Sequence, residues 1–132
     1  MGASVQLIVQ DTLRVRPDGF AFDVRLNWYR SLPLSSVEIL SVQLDGEPVP
    51  LDQIVFEING HRYSPAELLE QAEELWFVQD YARLSIRQPG QVKAGEAHTL
   101  AAEIALRFPY MPIGPGKFLT NVTHASATQV AH

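Results

Sequence analysis

Chemistry in this chain could begin at its four histidines, its carboxylates or one glycine-rich stretch. A metal centre or a histidine base needs imidazoles spaced against each other or against Asp/Glu. His61, His98, His124 and His132 show no such spacing. His61 sits beside a turn signal and is expected to face solvent. His98 begins a strand on its apolar face and is expected to be a satisfied edge residue. His124 is expected in a loop of hydrogen-bonding side chains, and His132 is terminal. Glu73 and Glu74 are paired in sequence only, because adjacent helical residues point apart; a solvated helix end is expected there. Glu57 and Glu103 fall opposite the apolar positions of their strands, as on an exposed sheet face. No serine lies in a Gly-x-Ser-x-Gly context. The stretch Gly114-Pro115-Gly116-Lys117 lacks the spacing, the flanking strand and helix, and the Ser/Thr of a phosphate loop. Without cysteine there is no thiolate chemistry and no disulfide. The residues therefore predict no catalytic, cofactor-binding or metal-ligating side chain in this chain.

The elements that would position any site come from a chain of 132 residues. That length fits one domain spanning 1–132, with 124–132 expected as a frayed tail. Apolar residues make up 46% and charged residues 19%, enough to build one core and too balanced for disorder. No apolar run approaches the roughly 20 residues of a membrane span, so no membrane partner is expected. The formal charge is −5, and the only lysines are Lys93 and Lys117. With no basic run and no arginine stripe along the sequence, nucleic acid is not an expected partner. The start of the chain shows no basic region followed by an apolar core, so a cytoplasmic location is expected. On that basis the acceptor-like Asn121-Val122-Thr123 is accidental.

Alternation predicts strands at 4–10, 20–27, 37–44, 81–87 and 97–108. In the second of these, Phe20, Phe22, Val24 and Leu26 share one face; in the last, Leu100, Ala102, Ile104, Leu106 and Phe108 do. Pro17-Asp18-Gly19, Asp45-Gly46 and Asn59-Gly60 are turn signals. Pro48 and Pro50 confine their segment to a sheet edge. One helix is marked by Ser64 as cap, Pro65 at the first position and Glu67 three residues on. It is expected from Pro65 to about Glu73, burying Leu68, Leu69 and Ala72. The fold class that follows is mainly β, an antiparallel β-sandwich with one short inserted α-helix.

Two segments place large apolar groups where loops are predicted. Trp28, Tyr29, Leu32 and Leu34 occupy one, and Tyr110, Met111, Ile113 and Phe118 occupy another. The second carries three prolines and two glycines and is expected to be irregular. Loops lie on surfaces, and aromatic residues with methionine are enriched at interface cores. These eight residues are the candidate partner interface; capping of the sandwich ends is the competing role.

Residues 24–38 read VRLNWYRSLPLSSVE, residues 54–70 IVFEINGHRYSPAELLE, residues 75–80 LWFVQD and residues 109–112 PYMP. Together they resemble the small β subunit of bacterial C-glycoside deglycosidases, from about Gly19 to Phe118. The resemblance implies a hetero-oligomer with a large α subunit, of the TIM-barrel, sugar-isomerase-like type. That subunit would hold a divalent metal, typically manganese, and cleave the carbon–carbon bond between a 3-oxo sugar and a flavonoid-type aglycone. The ketone would acidify the neighbouring proton and open an elimination-like path. The β subunit would dock on α with no cofactor of its own, and the isolated chain would be inactive. The residues also admit a carbohydrate-binding module using Trp28, Tyr29 and Trp76, and, less well, a stand-alone hydrolase or lyase.

Overall fold

The computed structural model describes residues 7–26, 30–115 and 117–132. The strands in chain order are β1 (Arg14–Arg16), β2 (Gly19–Arg25), β3 (Leu32–Pro33), β4 (Val37–Leu44), β5 (Glu47–Pro48), β6 (Ile54–Ile58) and β7 (His61–Tyr63). Helix α1 (Pro65–Leu68) follows, then β8 (Leu75–Trp76), β9 (Tyr81–Ile86), β10 (Ala97–Gly114) and β11 (Lys117–Val130). One sheet has the order β1-β2-β9-β6-β7, the second β11-β10-β4-β5, and β3 pairs with β8 alone. Every pairing is antiparallel. The mainly-β sandwich with one short helix read from the alternation is the observed architecture.

The turns follow from residue type. Asp45-Gly46 and Asn59-Gly60 both have positive φ at each position, the left-handed pair of a two-residue hairpin. Gly19 is required for a different reason. A Cβ there would lie 1.8 Å from the Ile86 carbonyl oxygen of the neighbouring strand.

Inward residues of the two sheets close one core. Phe20, Phe22, Phe56 and Leu84 from the first meet Val37, Ile39, Leu100 and Ile104 from the second. Each fully buried large side chain contributes about 1.5–3 kcal/mol. Trp76 is fully buried, edge-on to Phe56 at 5.4 Å, and its indole N–H donates to the Asp80 carbonyl at 2.9 Å. It therefore offers no platform to a sugar.

Several expectations are corrected. The capping box at Ser64 and Glu67 is present, but α1 ends at Leu68 rather than near Glu73. Three successive i→i−3 bonds, from Leu69, Glu70 and Gln71, tighten the chain. The turn this makes brings Glu74 back to the sheet, where its carbonyl accepts from Leu34 N–H. Only Leu68 of the predicted stripe is buried; Leu69 is 42% exposed and Ala72 is exposed.

Residues 109–114 and 117–118 are not irregular. They form the end of β10 and the start of β11, with register shifts around Pro112 absorbing the prolines. The expected frayed tail at 124–132 is β11 followed by two anchored residues. Ala131 N–H donates to Glu96 O and His132 N–H to Leu13 O, while Gln129 is buried. His124 accordingly lies on a strand, not in a loop.

Candidate functional site

Three features outside the core bear on function. The first is a latch at the Asn59-Gly60 hairpin. The turn sends β7 back beside β6, so His61 and Tyr63 share a face. The shortened helix returns Glu74 to that face. Its carboxylate accepts from the Tyr63 hydroxyl, from Asn59 Nδ2 at 3.1 Å and from His61 Nδ1 at 3.0 Å. Asn59 Nδ2 also reaches the Leu75 carbonyl at 3.0 Å. Partial burial pushes the Glu74 carboxyl up, but the bonds from Tyr63, His61 and Asn59 outweigh it and hold the group below its ordinary range. The same bond to Glu74, with some desolvation, raises the Tyr63 phenol. Glu74 is therefore a latch acceptor rather than part of a solvated helix end. His61 does face solvent, its side chain 62% exposed.

A second latch closes the Asp45-Gly46 hairpin. His98 Nδ1 lies 2.8 Å from Asp45 Oδ2, and Thr99 N–H donates to Asp45 Oδ1 at 2.8 Å. The His98 bond first, then the Thr99 amide, lowers the Asp45 carboxyl. His98 is buried on the inner face, not merely an edge residue.

The second feature is the outer face of the first sheet. Register places Asp23, Arg83, Glu57 and Arg62 in one row across β2, β9, β6 and β7. Arg14 Nη2 pairs with Asp23 Oδ1 at 2.9 Å, and Arg83 Nε lies 3.5 Å from the same oxygen. Arg62 Nη2 is 3.7 Å from Glu57 Oε2, which also accepts from Ser85 Oγ at 2.6 Å. In the next row Arg25 lies over the Tyr81 ring, 5.2 Å from its centroid. A groove of about 330 Å³ runs along this face, bordered by Asp23, Glu57, Arg62, Tyr81 and Arg83. Glu57 is thus engaged in a charge ladder.

The third feature is an arm. Strand β4 pairs with β10 only as far as Leu106↔Val37; beyond it, among the described residues, β10 has β11 as its sole strand neighbour. Tyr110, Met111, Ile113 and Phe118 lie on this two-stranded extension; their side chains are outside the described part, as are Trp28 and Tyr29 altogether. Leu32 and Leu34 are fully buried in the core, so in the free chain they serve as caps. At the same end Arg25, Leu26, Trp76 and Leu106 converge. Phe77 and Val78, which follow β8, are 49% and 39% exposed there. Reading the sequence missed these two; the unbroken apolar run 75–78 was their signal.

Among the described residues no three His, Asp or Glu side chains are grouped to hold a metal ion. Among them, no helix is long and apolar enough to cross a membrane.

The architecture defines a small antiparallel β-sandwich carrying a charged outer sheet and a two-stranded arm. Residues 6–110 match the family described as C-glycoside deglycosidase beta subunit. A protein of Arthrobacter globiformis named as a C-glycoside deglycosidase beta subunit is 37% identical over 92% of this chain and 92% of its own length. The 3'-dehydrocarminate deglycosidase beta subunit of a Microbacterium species is 39% identical over 82% of this chain and 80% of its own. A further beta subunit, from Microbacterium trichothecenolyticum, is 33% identical over 82% and 81%. The chain belongs to the C-glycoside deglycosidase beta subunit family. Membership in a family of beta subunits implies a partner subunit in a complex.

Proposed function

We propose that this chain is the small subunit of a heteromeric, cytoplasmic C-glycoside deglycosidase. Its α partner is of the sugar-isomerase-like TIM-barrel type and holds a divalent metal, manganese by preference. The complex acts as a carbon–carbon lyase, cleaving the bond between a 3-oxo sugar and a flavonoid-type aglycone. The ketone would acidify the proton on the carbon between it and the glycosidic carbon. A base would take that proton, the carbon–carbon bond to the aglycone would break to leave an enone sugar, and the departing aglycone carbon would take up a proton. A metal in the partner would supply polarisation of a sugar oxygen. The base and the metal both belong to the partner. One relative is named for a 3'-dehydrocarminate, a dehydro compound, which supports an oxidised sugar as substrate.

The observation that carries the reading is family membership, with the two-stranded arm as its structural support. An isolated two-stranded hairpin is marginal in water, and this one bears Tyr110, Met111, Ile113 and Phe118. A partner surface packed on it would bury that apolar bulk. Trp28, Tyr29, Phe77 and Val78 extend the proposed contact. Co-expression with a sugar-isomerase-like protein encoded beside this chain tests the reading. Stable co-purification is expected; two proteins that elute separately would contradict it.

A further inference from the structure

The outer face of the first sheet concentrates charge in a way that the linear sequence conceals. Strand alternation and register put Arg14, Arg16, Arg25, Arg62 and Arg83 on this one face, with Asp23 and Glu57 as its acids. Five cations less two acids give +3. The whole chain carries −5, so everything else sums to −8. The sequence is expected to hold no arginine stripe; across the strands the sheet assembles one.

Neither lysine lies on the strands of this sheet. A merely solvated face would be served as well by lysine, whereas planar arginine is enriched at protein contacts and lysine depleted there. The guanidinium groups are also held in place, Arg14 by Asp23 and Arg25 by Tyr81. Such order reduces the side-chain entropy lost on binding. Arg25 Nε and Arg83 Nε are buried N–H groups with no hydrogen-bonded acceptor; the Asp23 oxygen near Arg83 is within ion-pair range but not aligned as a hydrogen bond.

We propose that this arginine face is a docking surface for an acidic protein surface on the partner subunit, an inference that rests on the subunit reading above. Charge complementarity selects that occupant. A second copy joined about a two-fold axis would set like face on like face, +3 against +3. A phosphate backbone would meet Asp23 and Glu57 in the middle of the cationic row.

The test uses the reconstituted complex. Affinity is measured at about 50 and about 300 mM salt, for wild type and for Arg16→Glu/Arg62→Glu, two positions of this face that reach solvent. Raising salt should weaken wild-type assembly, and the double reversal should weaken it at least about tenfold at low salt. Lys93→Glu, off the face, should change affinity by less than about twofold. Should the reversal not fold by circular dichroism, Arg16→Gln/Arg62→Gln replaces it, with a smaller loss in the same direction. Wild-type assembly that is indifferent both to salt and to the arginine variants overturns the docking face but leaves the subunit reading standing. Failure of the wild type to assemble at all overturns both.

Discussion

The Tyr63 hydroxyl donates to the Glu74 carboxylate, joining the last residue of β7 to the segment that enters β8. Asn59 and His61 converge on the same carboxylate. Four residues of the Asn-Gly hairpin region and the helix return are thereby fixed beside Trp76, at the edge of the core. Glu74→Ala should lower the melting temperature of the isolated chain by a few degrees, with the far-ultraviolet spectrum unchanged. An unaltered melting curve would show that the latch adds nothing to stability.

Acid should act through the same carboxylate. The folded pKa of Glu74 lies below its unfolded value of about 4.3. Its stabilisation is therefore complete above that value, declines as pH falls toward the folded pKa, and is absent below it. Asp45, lowered by His98 and Thr99, behaves alike. Denaturant midpoints measured from pH 7 to pH 3 should hold steady and then fall below about pH 4.3. Glu74→Gln should fall less steeply on the acid limb than wild type.

Gly19 tolerates no side chain, because a Cβ would enter the Ile86 carbonyl. Gly19→Ala should destabilise by about 1–3 kcal/mol or more, seen in chemical denaturation. Retention of wild-type stability would require β2 and β9 to separate locally.

Core caps and interface anchors should respond differently. Leu34 is fully buried, so Leu34→Ala should cost the isolated chain about 2–5 kcal/mol. Tyr110→Ala and Trp28→Ala should leave the isolated chain stable while weakening assembly by about 2 kcal/mol or more each. If those two variants lose chain stability in proportion to affinity, they cap the sandwich and the contact lies elsewhere.

Much of the fold was legible because period-2 alternation and two-residue turns are local. Phe20 to Leu26, Asp45-Gly46 and Asn59-Gly60 are each read within a few residues. The last strand was not: its inward row holds Asn121, Thr123 and Gln129 beside the small Ala125 and Ala127, while Val122 and Val130 point outward and are exposed, so polarity runs against the pleat. Nor was the arm: its prolines forbid a central strand, and only a two-stranded extension with register shifts admits them. Helix length failed for a tertiary reason. Ser64 and Glu67 fix the start, but the return of Glu74 to the hairpin sets the end. The arginine face was invisible because its arginines come from four separate stretches, brought together only by sheet order.

The central claim, that this chain acts only within a two-subunit deglycosidase, is tested most directly by turnover. A 3-oxo C-glycoside of a flavonoid would be incubated with this chain, with the metal-loaded sugar-isomerase-like partner, and with both, and release of the free aglycone followed. Release is expected from the reconstituted pair, with little from the partner alone and none from this chain alone. Full turnover by the partner without this chain, or any turnover by this chain on its own, would contradict it.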